Sequence, residues 1–380
     1  MSGESGVIQR SIGFGPVQIV SWALSLSRLI LGAEAGEIAV RSSSLDETLT
    51  PTNFSLKKIS GMGSAHVNAV DVDGRAMFLD KSGQRLIELA YSLQENDFQP
   101  RDMTLLHPDL NLNNPVVRVV VQRQPDTRIH CLREDGTVAI LVYEPKEEVI
   151  CWYRVETSGV VEDALVLPGT VEDKVYYCVK RVIGNADRRY WEKFAREDEC
   201  GMIQLNKQAD SFVAYTGAAT ATITGLSHLN GQTVVAWGDG ANLGTFVVSG
   251  GQITLSAAVS NCVVGMGYQA RFKSAKLAYA GGMGTAMAQK KRINYLGVVM
   301  HDTHKAGLQY GPSFAELDEL PSMEDGAETD ADAGWDHYDK SAFEFAGRWD
   351  TDARLCLVAN APRPCTILGA VVGLATHDKG

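Results

Sequence analysis

The signatures of catalysis are missing from this sequence. No G-x-x-x-x-G-K-S/T loop, G-x-S-x-G elbow, H-E-x-x-H helix or C-x-x-C pair occurs in its 380 residues. Those absences exclude the P-loop, nucleophile-elbow, zincin and dithiol-redox readings, each of which needs its residues at fixed spacing. Membrane-length apolar runs are missing too. The best candidate, residues 17–31, is interrupted by Arg28 and diluted by serines, whereas a spanning helix needs about 20 apolar residues. It reads as a buried strand or helix, and no targeting segment is evident. A basic excess is also absent. Lys and Arg number 35 against 46 Asp and Glu, for a net charge of −11, so the chain has no footprint for neutralising phosphates. Cysteine is sparse: Cys131, Cys151, Cys178, Cys200, Cys262, Cys356 and Cys365, an odd count lying mostly inside apolar strand patterns. Buried thiols and a reducing cytosol are expected, with no disulfide.

What the sequence does contain is strands and turns. Between Arg128 and Arg181, apolar runs follow one another too short and wrongly spaced for amphipathic helices. Ile129, Cys131 and the run Val138 to Tyr143 flank Glu134-Asp135-Gly136. Asp-Gly between two β-rich runs is a strong hairpin signal, because both turn residues must accept positive φ. Runs at 149–153, 160–167 and 175–182 continue the pattern. Earlier, 67–72, 76–79 and 86–91 make a three-stranded meander around Asp73-Gly74 and Lys81-Ser82-Gly83. Residues 95–110 carry few strand signals and suit one short helix around Met103 to His107. The reading is all-β: a β-propeller-like body of antiparallel meanders with no nucleotide-binding βαβ unit. A repeat is not legible, since Asp73-Gly74 and Asp135-Gly136 share no wider signature.

Composition divides the chain into a flexible leader at 1–26, propeller-like blades at 27–211, a small inserted β-sandwich or barrel at 212–275, and closing strands at 276–380. Within 212–275 the only charges are Asp239, Arg271 and Lys273. Residues 316–352 are the opposite: thirteen acids against Lys340 and Arg348, so the other 343 residues sum to zero. The stretch 316–340 reads as an acidic surface loop, since such runs do not pack into cores. Its acids Glu316, Asp318, Glu319, Glu324, Asp325, Glu328, Asp330 and Asp332 are the candidate site, lining either a lumen or a partner interface.

Several constellations carry a bland reading beside a chemical one. Gly281-Gly282-Met283-Gly284 precedes a strand rather than a helix and reads as a turn, not a phosphate cradle. His301-Asp302-Thr303-His304 would share a face if helical, but on a strand its histidines point to opposite faces. Asp330-Ala331-Asp332 begins like a calcium loop, then lacks the third alternate ligand and the closing Glu. No two carboxylates are singled out as a glycosidase pair. No cofactor, metal or catalytic residue is expected.

Five stretches, in order, resemble one family. They are Leu86-Ile87-Glu88-Leu89-Ala90-Tyr91 with Asp97-Phe98 and Arg101-Asp102-Met103-Thr104; Arg133-Glu134-Asp135-Gly136-Thr137 with Val149-Ile150-Cys151-Trp152-Tyr153-Arg154; Ile223-Thr224-Gly225-Leu226-Ser227-His228-Leu229-Asn230-Gly231-Gln232-Thr233-Val234 with Asp239-Gly240 and Gly250-Gly251-Gln252-Ile253-Thr254-Leu255; Phe343-Glu344-Phe345-Ala346-Gly347; and Pro362-Arg363-Pro364-Cys365-Thr366-Ile367-Leu368-Gly369. Over roughly 25–373 the chain resembles the tail nozzle proteins of short-tailed bacteriophages, the tail tubular protein B and packaged-DNA stabilisation types. The third stretch is the most specific, resembling the family's opening of the inserted β domain. Family members carry a long region before the stretch that here starts near Ser27, so a minimal version, or blades supplied by another chain, is implied. The resemblance implies a virion tail protein, made in the bacterial host cytoplasm, that is structural rather than enzymatic. It implies a ring, most simply a homohexamer, bound to a tail adaptor and to tail fibre or tailspike proteins. Double-stranded DNA would pass through its lumen without sequence-specific binding. The alternatives are a β-propeller glycan hydrolase and a β-propeller protein-interaction scaffold.

Overall fold

The computed structural model describes residues 6–8, 19–42, 49–107, 110, 114–278, 280–281, 284–321, 323–324, 327–330, 332–339 and 342–376. The fold is all-β: these residues form antiparallel sheets joined by turns and short 3-10 segments, with no α-helix among them. The chain divides into two compact units, Met1–Val182 with Asp187–Phe194, and Ile183–Ala186 with Ala195–Gly380. Most of the leader, 1–5 and 9–18, lies outside the described residues.

The first unit is four meanders in sequence. Sheet one holds β1 (Val20–Ser25), β2 (Leu29–Ala33), β3 (Gly36–Arg41) and β4 (Ser55–Lys58). Sheet two holds β5 (Val70–Val72), β6 (Arg75–Leu79), β7 (Leu86–Ser92) and β8 (Asp97–Asp102). Sheet three holds β9 (Val116–Gln122), β10 (Arg128–Arg133), β11 (Val138–Glu144) and β12 (Val149–Val155), and sheet four holds β13 (Val160–Leu167), β14 (Lys174–Ile183) and β15 (Ala186–Lys193). Within each sheet, every strand after the first pairs with the one before it, as in propeller blades.

Side-chain alternation then stacks the sheets face to face. In β6, Ala76 and Phe78 pack with Trp22, Ile30 and Ala39 of sheet one. Their neighbours Met77 and Leu79 point the other way, onto Ile129, Cys131, Ala139 and Leu141 of sheet three. In turn Leu132, Val138 and Ile140 of sheet three face Val161, Val175, Tyr177 and Val179 of sheet four. A strand buried on both faces must be apolar at consecutive positions, which explains the unbroken runs. Glycine admits one close approach: Trp22 lies over Gly32, where an added Cβ would sit 2.0 Å from the indole.

The turns behave as their residues require. Asp73-Gly74, Gly184-Asn185 and Asp239-Gly240 all have positive φ at both positions. At Glu134-Asp135-Gly136 only Gly136 does, with φ 81°. Asp135 instead accepts hydrogen bonds from the Thr137 amide and hydroxyl. This turn joins the second and third strands of its sheet, whereas Asp73-Gly74 joins the first and second of its own. The two dipeptides occupy different blade positions, so no repeat could align them.

The second unit holds β16 (Asp210–Ile223), β17 (Thr233–Gly238), β18 (Ala241–Val247) and β19 (Ile253–Met266) in one sheet, ordered β16-β19-β17-β18. Its core includes Ile223, Leu226, Leu229, Val234, Val248 and Ile253. Then come β20 (Gln269–Lys273), β21 (Ala280–Gly281), β22 (Gly284–Thr285), β23 (Lys291–His304), β24 (Leu308–Ser313), β25 (Glu316–Glu319), β26 (Met323–Glu324), β27 (Ala327–Glu328), β28 (Gly334–Asp339), β29 (Phe343–Glu344), β30 (Cys356–Asn360) and β31 (Thr366–Thr376). β20-β30-β24-β25 form one sheet. β23 carries β31 along one edge and β28 and β29 along the other. Both share a core of Leu296, Met300, Tyr310, Tyr338 and Leu357.

Three expectations change. The helix expected at Met103–His107 is a turn: Asp102 accepts from the Thr104 amide and hydroxyl, and the His107 amide donates to Thr104. Such a side-chain bond competes with helix formation. Cys151 is exposed and Cys178 half-buried; Cys131, Cys262 and Cys356 are buried, and none of the seven cysteines is in a disulfide. On β12, Ile150 and Trp152 are partly packed into the sheet-two/sheet-three core, which turns Cys151 between them outward. The acidic stretch expected as loop contains β25 to β28.

Candidate functional site

Acid-rich residues form strands here because they occupy edges, where side chains stay wet. Among the described residues β25 pairs only with β24, matching Gln309 with Glu319, Tyr310 with Asp318 and Ser313 with Glu316. Glu316 meets Arg348 at 2.7 Å, both side chains largely in solvent. β28 pairs with the end of β23 and turns Trp335 and Tyr338 toward the core, leaving Asp336 and Asp339 exposed. Charge on an edge also blocks unwanted strand pairing. Glu324 and Glu328 lie on β26 and β27, with side chains outside the described residues, as Asp325 is altogether.

Asp330 and Asp332 are held in a tight loop. The Asp332 amide donates to Asp330 Oδ1, and the Ala333 amide to the Asp330 carbonyl. The chain after β23 grips that loop. The Lys305 amide donates to the Ala333 carbonyl, and Lys305 Nζ to the Thr329 carbonyl at 2.6 Å. His304 is buried and places Nε2 3.6 Å from Asp332 Oδ1. Its Nδ1 accepts the Ala306 amide at 3.0 Å. That bond settles the tautomer: Nδ1 carries the lone pair and Nε2 carries the proton. A metal at Nε2 would need the reverse.

The paired-histidine reading fares likewise. His301 is exposed and opposite His337, while His304 is buried. Asp302, at φ 46°, turns back to accept the Met202 amide. Among the described residues no group of three His, Cys, Asp or Glu could hold a metal ion. Gly282 and Met283 lie outside the described residues. Burial pushes the Cys131 and Cys262 thiols up to about 12 and Cys365 to about 11, far from nucleophilic thiolates.

Sequence patterns do not reveal the polar groups sealed between sheets. His130 lies between sheets three and four. Gln122 Nε2 donates to the Gln124 carbonyl, so Gln122 Oε1 accepts His130 Nε2–H at 3.3 Å, and Nδ1 accepts the Tyr177 hydroxyl at 2.6 Å. Burial, then Arg128, lowers this histidine to about 4. Tyr143 donates to Glu88 and accepts from Arg75, joining sheets two and three. Glu37 is buried, accepts the Ser64 hydroxyl at 2.8 Å, and is raised by burial, which outweighs the serine hydrogen bonds. Asp80 is also buried, yet bonds from Ser82 and Arg85 outweigh burial and hold it below the usual carboxylate range. Ser64 bridges to Asp80, so one residue touches both carboxyl-bearing positions.

No protein-family model matches the chain, and no curated protein matches it. Solved structures with which it aligns include two variants of an exo-β-1,3-galactanase from Phanerochaete chrysosporium bound to β-1,3-galactotriose. One aligns at 7% identity and TM-score 0.26 over 91% of this chain and 78% of the other. The second aligns at 8% identity and TM-score 0.27 over 97% and 99%. The expectation of a non-enzymatic protein is corrected at this point, because the matched structures are those of an enzyme. Likeness this faint assigns no reaction, substrate or residue to the chain. Among the described residues no helix is long and apolar enough to cross a membrane.

Proposed function

We propose that this chain is a subunit of the distal tail ring of a short-tailed bacteriophage, through which the genome is retained and released. The collinear resemblance carries this reading, above all the stretch Ile223 to Val234. That stretch has a physical role: Ile223, Leu226, Leu229 and Val234 fill the core of the charge-poor sheet, and Gly225 and Gly231 adopt positive φ around them. Charge distribution supports it. A neutral body with acids along exposed strand edges repels phosphates within about 8 Å at physiological salt and lets a duplex slide. Native mass spectrometry and electron microscopy of the purified protein and of virions test the reading. A closed ring, most simply of six, is expected at the tail tip, and a stable monomer in the virion would sink it. In such particles, neutralising Glu316, Asp318, Glu319, Asp330 and Asp332 should slow genome ejection and leave assembly intact.

A second reading is a glycan hydrolase on a propeller-like body. Glu37 and Asp80 favour it, since two carboxyls pushed in opposite directions suit acid and base roles. Against it, both are closed to solvent, and Asp80 is engaged by Ser82, Gln84 and Arg85 within its own turn. The matched structures name β-1,3-galactan as the first substrate to try. Release of reducing sugar that disappears in Glu37→Gln would support this reading over the ring.

A further inference from the structure

His304 sits where three parts of the second unit meet. Its ring packs edge-on against Trp237 of β17, at 5.9 Å between centroids and 74° between planes. Its Nδ1 caps the turn through Ala306, and its Nε2–H points at Asp332 across 3.6 Å. Nε2 is buried with no partner in hydrogen-bonding range, and so is Oγ1 of Thr329 in the same loop. The groups with charge influence on the ring are Arg363, Asp332 and its own neighbour Lys305. Arg363 and Lys305 oppose a second proton, and Asp332 favours it.

We propose that His304 is an acid-released latch for Thr329, Asp330, Asp332 and Ala333. Neutral, the ring accepts the Ala306 amide on one nitrogen and offers a proton to Asp332 from the other. A second proton would have to go on Nδ1. There it would face the Ala306 N–H, donor against donor, in a site closed to water. The proton is accommodated only by turning the ring out, which frees Ala306. Release of that turn loosens the neighbouring Lys305–Ala333 backbone bond and the Lys305–Thr329 tether. Burial first, and Arg363 second, lower the affinity of His304 for that proton below the ordinary value of 6.5, in accord with the geometry. Proton uptake is thereby coupled to opening. The latch holds whether or not the chain forms a tail ring.

Hydrogen exchange of the full-length protein, corrected for intrinsic pH dependence, tests the latch at the Ala306 and Ala333 amides. One-proton coupling predicts local opening that rises by as much as about 25-fold between pH 7 and pH 5. His304→Asn retains an acceptor for the Ala306 amide but cannot titrate, so its opening should not change with pH. Imidazole ¹⁵N shifts give an independent reading: Nδ1 unprotonated and Nε2 protonated at pH 7. Exchange that is flat with pH in the unmutated protein, or equally acid-sensitive in His304→Asn, overturns the latch. So does a doubly protonated His304 in a segment that remains closed.

Discussion

The interfaces between sheets in the first unit and the acidic strands of the second deal with polar groups in opposite ways. Between sheets, polar side chains are buried or half-buried and cross-linked: His130 of sheet three with Tyr177 of sheet four, and Tyr143 of sheet three with Glu88 and Arg75 of sheet two. Along β25 and β28, carboxylates lie exposed at sheet edges with few partners. A polar group buried between two sheets fixes how they register, because leaving it unpaired costs about 1–3 kcal/mol. One exposed on an edge fixes little and governs what the protein repels. The same charged residue types thus serve stability in one region and surface behaviour in the other.

Substitutions can break this contrast, beginning with the apolar material on which the cross-links rest. Phe78→Ala removes a ring buried between sheets one and two and should destabilise by about 3–5 kcal/mol in denaturant titration. A loss under 1 kcal/mol would mean that the sheets do not stack as described. Next comes acid. His130 is neutral in the folded state and titrates at about 4 rather than 6.5. Its contribution is therefore complete above pH 6.5 and is lost as pH falls from 6.5 toward 4. The loss should be about 3 kcal/mol, seen as a falling midpoint for urea unfolding that a His130→Gln variant does not share. Tyr143→Phe leaves Glu88 and Arg75 without the bridging hydroxyl and should cost about 1–2 kcal/mol. The smallest effect sharpens the comparison from the other side. Glu316→Gln, Asp318→Asn and Glu319→Gln, made singly, should each shift stability by less than about 0.5 kcal/mol. A larger loss would place β25 among the structural elements.

Much of the architecture was legible because tight turns announce themselves. Asp73-Gly74, Asp239-Gly240 and Gly184-Asn185 bound hairpins where positive φ is required. Strands with weak apolar signals were harder to read. β8 reads Asp-Phe-Gln-Pro-Arg-Asp, and Pro100 within it argues against a central strand. Among the described residues it is an edge strand, pairing only with β7, where a missing N–H does no harm. The acidic strands escaped for a related reason: edges tolerate charge that central strands do not. The polar cross-links were invisible, since His130 and Tyr177 stand 47 residues apart and meet only when two sheets stack. Of the candidate site, the sequence located the charge but not its edges, and the placing of His304 beside Asp332 depends on a backbone bond to Ala306 that no pattern encodes.

Serial stacking in the first unit has a consequence for how the chain is made. Each sheet closes locally, and its second face waits for the next sheet in sequence, so nearly every contact joins neighbours along the chain. Assembly can then follow synthesis from the amino end, each new meander covering the last, much as a repeat array grows by nearest-neighbour steps. At every stage before sheet four, the nascent protein shows one uncovered apolar face. That face moves along with the ribosome, and it is where a chaperone would find this protein.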